Sequence, residues 1–194
     1  LQGAALMPVN LPNLVTWLRI ILIPLMIGVF YLPDAWLSFS GKNVAACTIF
    51  VVAALSDWLD GYLARALNQM SAFGAFLDPV ADKLVVAAAL IMLVQLDRVV
   101  PVIALIIIGR EIAVSALREW MAKLGQSASV AVAYIGKVKT VGQMVAIPLL
   151  LYHDDLFGVL NTQLLGTVLI NVAAVLTVIS MLHYLRRALP HAHG

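Results

Sequence analysis

Charged residues make up only 11% of this 194-residue chain, against 63% hydrophobic ones. A soluble domain is nearer one-quarter charged, so composition excludes that class. Mean hydropathy is +1.01, and the apolar share is spread along the whole length. Cysteine is reduced to Cys47, which excludes a disulfide framework; within an apolar run it reads as a small buried residue. A net charge of +2 is too small to argue for nucleic acid. Sustained apolar–polar alternation in ten-residue blocks is lacking, which argues against a membrane β-barrel. A basic leader followed by a cleavage site is lacking too. Leu1–Leu6 precedes Met7 and reads as an expression remnant. Residues 188–194 read as a tail whose His191 and His193 are unstructured rather than metal-ligating.

What is present is a set of long apolar runs. A spanning helix needs about 20 mostly apolar residues, and six runs qualify: Leu14–Leu32, Val44–Arg65, Pro79–Leu96, Val99–Met121, Val138–Tyr152 and Leu164–Leu185. The predicted fold is an all-α integral membrane protein of six transmembrane helices, in one domain over residues 7–187. Asn10, Pro12 and Asn13 signal the first helix start. Asp78 is the expected N-cap of the third helix, with Pro79 in its first turn. The twelve basic residues are unevenly placed. Arg65, Arg118, Lys123, Lys137, Lys139, Arg186 and Arg187 fall on one side, Lys42 and Arg98 on the other, and Arg19, Lys83 and Arg110 within helices. The positive-inside rule makes the first side cytoplasmic, with both termini.

Four of the ten acidic residues fall at that same face: Asp57, Asp60, Asp78 and Asp82. Carboxylates in so apolar a chain are costly unless they hold a cation or carry protons. Spacings of three and four put each pair on one helical face. Four such groups at short range repel strongly unless a divalent cation intervenes. Oxygen-only ligands favour Mg²⁺, Mn²⁺ or Ca²⁺ over zinc. Gly61 and Ala64 leave room on the aspartate side of the second helix, Gly74 lets backbone approach a phosphate, and Arg65 supplies a cation for an anion. Taken singly, Gly61 and Ala64 read as helix-packing residues; the full spacing does not.

The run Asp57-x-x-Asp60-Gly61-x-x-Ala64-Arg65, eight residues, Gly74-x-x-x-Asp78-x-x-x-Asp82 resembles the motif of the CDP-alcohol phosphotransferase family at all eight constrained positions. Asn10-Leu-Pro-Asn13 through Arg19, Gly109-Arg-Glu111 through Glu119-Trp120, and Gly136-Lys-Val-Lys-Thr140 are similar to bacterial phosphatidylglycerophosphate synthases. The resemblance implies transfer of a phosphatidyl group from CDP-diacylglycerol to glycerol 3-phosphate, with release of CMP. It implies that Asp57, Asp60 and Asp78 ligate metal, with Asp82 as general base that also touches a metal. It implies that Asp57, Asp60, Gly61, Ala64, Arg65, Gly74 and Asp78 line the nucleotide site. Two Mg²⁺ or Mn²⁺ ions, a homodimer, and a place in the bacterial inner membrane among its lipids are implied in the same way.

A phosphorylated acceptor would need a second anion site. Arg110, Arg118, Lys137, Lys139 and Thr140 offer one, with the two lysines expected at a helix N-terminus. Arg110 pairing with Glu111 or Glu119 for structural reasons is the competing reading. Asn13, Thr16 and Arg19 share one side of the first helix and either border the cavity or form an interhelical network. Two further functions compete. One is a relative using inositol phosphate, serine or phosphatidylglycerol as acceptor. The other is a divalent-cation transporter, whose acidic residues would sit near the bilayer midplane.

Overall fold

A computed structural model of the chain describes residues 11–66, 72–123, 134–156 and 158–188. These are almost wholly helical: α1 (Leu11–Gly28), a 3₁₀ turn over Val29–Tyr31, α2 (Phe39–Ala66), α3 (Ala72–Gln95), α4 (Pro101–Lys123), α5 (Tyr134–Tyr152) and α6 (Thr162–Ala188). All six expected helices are present. Three stretches are long and apolar enough to cross a membrane: Leu14–Tyr31, Phe39–Asp57 and Thr162–Leu182. Val138–Tyr152 is apolar but shorter. The expected six spans thus reduce to three by this measure among the described residues.

Several boundaries differ from the sequence expectation, and two of them bear on the site residues. α3 begins at Ala72, so Asp78 lies inside it and is not its N-cap, and Pro79 is internal. Proline removes one backbone bond. Apolar helices tolerate it where neighbouring groups re-satisfy the freed carbonyl. Pro24 in α1 and Pro148 in α5 are internal in the same way. α5 begins at Tyr134, four residues before expectation, so Lys137 and Lys139 stand inside the helix rather than at its first residue.

The chain forms two compact units, 1–89 and 90–194. In the first, α1 packs on α2, and Met26, Ala46, Phe50, Ala53, Ala81 and Val85 are buried. Lys42, itself buried, reaches back to Asp34 at 2.6 Å.

In the second unit, α6 packs on both α4 and α5. Small residues bring α5 and α6 close, as is common where apolar helices associate: Ala146 and Ala173 are buried at the contact. A Cβ at Gly166 would lie 2.7 Å from Leu150 Cγ and 3.2 Å from the Ala146 carbonyl oxygen. Leu150 is fully buried and has little room to yield. Gly166→Ala is therefore expected to destabilise the protein by about 1–3 kcal/mol. At Gly142 the nearest atom to a new Cβ is Ala173 Cβ at 3.8 Å, so Gly142→Ala should be tolerated. Thermal unfolding of both variants in one detergent tests the contrast; equal stabilities would contradict it.

The turn after α3 closes with Asp97 in the left-handed region (φ 56°). The Arg98 N–H donates to the Leu93 carbonyl and the Asp97 N–H to the Val94 carbonyl, the pairing of a Schellman cap. Arg98 does not point outward as a loop cation. It is buried and donates to the Leu150 and Leu151 carbonyls at 3.0 and 2.9 Å, the last turn of α5. A cation there satisfies carbonyls that have no partner within the helix and complements the helix dipole. Burial lowers the Arg98 pKa from its ordinary value, and nearby Asp154 opposes that shift.

Candidate active site

The polar side chains that the sequence marks as functional fall into two groups, one in each unit.

In the first unit, α1 runs beside the carboxylates of α2 and α3. Thr16 and Arg19 are three residues apart on α1; Asp78 and Asp82 are four apart on α3. Each pair occupies one helical face, and the two faces meet rung to rung. The Thr16 hydroxyl donates to Asp78 Oδ1 at 2.6 Å, and Arg19 Nη1 donates to Asp82 Oδ1 at 2.5 Å. The same Arg19 nitrogen lies 3.2 Å from Asp57 Oδ1 on α2. One guanidinium therefore draws carboxylates from two helices together. Arg19 is 1% exposed, whereas the side chains of Asp57 and Asp82 keep 44% and 36%. The cation lies beneath and the carboxylates open outward, so they can still meet a ligand on the side away from Arg19.

This donor set consists of oxygens, mostly anionic, which suits a hard divalent cation. Among the described residues no three Asp, Glu, His or Cys side chains close into one ligand group. The side chains of Asp60, Gly61, Ala64 and Arg65, borne by the last turns of α2, lie outside the described residues, as does that of Asn13. Gly74 is buried on α3.

In the second unit, Arg110 and Lys139 meet at Glu111. Arg110 Nη1 donates to Glu111 Oε1 at 3.1 Å, and Lys139 Nζ bonds the same oxygen. Arg110 Nη2 also reaches the Ser180 hydroxyl at 3.3 Å. Helices α4, α5 and α6 are thereby joined through one polar network. Arg110 is 6% exposed and Lys139 1%, a burial that two cations sustain only with paired charge and hydrogen bonds. Of the two partners that the sequence offered Arg110, it takes Glu111; Glu119 pairs with Lys123 at 3.0 Å on the exposed side. Thr140 is exposed. The side chains of Arg118 and Lys137 lie outside the described residues.

Sequence reasoning missed Ser180 and Gln143, both buried. A hydroxyl and an amide within apolar helices carry no spacing signal of their own. Two grooves run between α4 and α6, about 310 and 380 Å³ in volume. Ala113, Trp120, Met181 and Leu185 line the first, and Ile103, Ile106, Val172 and Val175 the second. Neither contains any of these charged groups, so shape alone would point away from the chemistry.

Residues 9–179 match the family described as CDP-alcohol phosphatidyltransferase. The chain belongs to this family. Among the relatives of this CDP-alcohol phosphatidyltransferase are proteins of Escherichia coli (strain K12), Shigella flexneri serotype 5b and Shigella boydii serotype 4. Each carries the name CDP-diacylglycerol–glycerol-3-phosphate 3-phosphatidyltransferase. Each is 50% identical over 184 residues, covering 94% of this chain and 96% of its own length. Residues 9–179 take in every charged member of both polar groups.

Proposed function

We propose that the chain transfers the phosphatidyl group of CDP-diacylglycerol to glycerol 3-phosphate, giving phosphatidylglycerol phosphate and CMP. The observation that carries this reading is 50% identity over 94% of the chain to relatives named for that reaction. The complete eight-position aspartate motif supports it.

Asp57, Asp60, Asp78 and Asp82 would hold one or two divalent cations, Mg²⁺ or Mn²⁺, whose contribution is to neutralise the pyrophosphate and the departing CMP. Gly61, Ala64, Arg65 and Gly74 would line the nucleotide pocket. Asp82 accepts the proton of the attacking primary hydroxyl, since an alcohol attacks phosphorus readily only when its proton has a destination. Its Oδ1 is held by Arg19, which fixes the carboxylate's orientation. The alcohol oxygen bonds to the diacylglycerol-bearing phosphorus as the bond from that phosphorus to CMP breaks. Inversion at that phosphorus supports this direct displacement; retention would favour a covalent aspartyl intermediate.

Arg118, Lys137 and Thr140 are proposed to contact the acceptor phosphate. Arg110 and Lys139 add positive potential through their network. With Glu111 between them, this trio carries a net single positive charge, which suits an anion and disfavours a neutral acceptor such as serine. Six membrane passes, a cytoplasmic active face with both termini on that side, an inner-membrane location and a homodimer complete the proposed picture.

The test is CMP release by purified protein given CDP-diacylglycerol, Mg²⁺ or Mn²⁺, and candidate alcohols. Release should depend on both glycerol 3-phosphate and the metal, and chelation should abolish it. Release with serine or inositol phosphate instead would select another acceptor, and no release with any alcohol would revive cation transport. Arg118→Ala and Lys137→Ala are each expected to raise the glycerol 3-phosphate KM roughly 10-fold or more, as loss of one charge-assisted bond implies. The CDP-diacylglycerol KM should change little. A normal acceptor KM in both variants would remove this acceptor pocket.

A further inference from the structure

Gln143 stands one helical turn beyond Lys139 on the same face of α5. It is 4% exposed, and its Nε2 is buried without a hydrogen-bond partner among the described residues. A buried donor left unmet costs about 1–3 kcal/mol, and native proteins leave few of them. Around it several polar side chains of the second unit are paired. Arg110 and Lys139 share Glu111, Arg110 reaches Ser180, and the Thr177 and Ser180 hydroxyls bond α6 carbonyls at 2.6 and 3.0 Å. An uncharged donor one turn along from a cation suits a ligand that carries a neutral hydroxyl beside its phosphate.

We propose that Gln143 is a specificity-determining residue whose amide donates to the non-reacting secondary hydroxyl of the acceptor. The inference rests on reading the basic residues of this unit as the acceptor site, and it deepens that reading. The phosphate is met by cations, the primary hydroxyl reacts, and the middle hydroxyl is the group left for an amide to recognise. A site built to bond a hydroxyl rejects the analogue that lacks it, because its own polar group is then stranded.

The experiment compares glycerol 3-phosphate with 3-hydroxypropyl phosphate, which lacks only that hydroxyl, in the wild-type protein and in Gln143→Leu. The wild type should prefer glycerol 3-phosphate in kcat/KM by roughly 10- to 100-fold. Gln143→Leu should lose most of that preference. It should fall by a similar factor on glycerol 3-phosphate while staying within about 3-fold of wild type on the deoxy analogue. Gln143→Met, closer in shape, repeats the test should the leucine variant fold poorly. An equal fall on both acceptors would make Gln143 a packing residue and overturn the proposal. So would an undiminished preference, or a wild type that does not discriminate. The acceptor reading is judged separately. If Arg118→Ala and Lys137→Ala leave KM unchanged for both phosphates, that reading fails. If they raise it for both while Gln143→Leu keeps the preference, only the Gln143 assignment fails.

Discussion

Asp82→Asn is expected to lower turnover by about 10²- to 10⁴-fold, the usual worth of a positioned general base. The replacement is nearly isosteric, and an amide oxygen can still accept from Arg19 where Asp82 Oδ1 now does, at 2.5 Å. It cannot take the proton of the attacking alcohol. The loss should therefore appear in kcat, with the CDP-diacylglycerol KM close to wild type. Single-turnover CMP release at saturating acceptor is the measurement. A variant that keeps wild-type turnover would take Asp82 out of the chemistry, and with it the proposed mechanism. Asp57→Asn should also be impaired, but with a loss that rising Mg²⁺ or Mn²⁺ partly reverses, because Asp57 serves metal binding alone, whereas Asp82 also takes the proton.

Glu111→Gln should be the most damaging single change in the second unit. Removing that charge leaves Arg110 and Lys139, 6% and 1% exposed, without their common counter-ion. Breaking a buried pair in this way typically costs about 3–5 kcal/mol. A double variant, Glu111→Leu with Lys139→Met, should recover part of the loss, since replacing both sides of a buried ion pair by apolar groups can be nearly neutral. Thermal denaturation of both variants in one detergent reads this out. A single variant as stable as wild type would mean that the network contributes nothing to the fold. A double variant worse than the single would mean that Arg110 is held chiefly by Lys139's surroundings rather than by Glu111.

The helices were legible because long apolar runs have few other solutions. Their edges were less so. Pro79 and Asp78 look like a helix start, yet the apolar stretch before them carries α3 back to Ala72. Arg98 looks like a loop cation, but its burial is decided by two carbonyls more than fifty residues away, a partnership that sequence spacing does not reveal. The carboxylate spacing told which side chains share a face. The rungs from Thr16 and Arg19 lay beyond it, because periodicity describes one helix at a time. Glu111 was visible only as one of two partners for Arg110, and Gln143 was not visible at all, since an amide in an apolar helix ordinarily reads as packing.

The two bonds from Thr16 and Arg19 have a consequence for what the N-terminal helix is. Much of α1 is outward-facing leucine and isoleucine, with Leu14, Leu18, Ile21 and Leu25 all exposed, and it could pass for a simple anchor. Its rotation about its own axis is nonetheless keyed: one inserted residue turns everything beyond it by about 100°. A generic greasy segment of equal length, spliced in its place, would still tether the protein and would leave the aspartates without their lock.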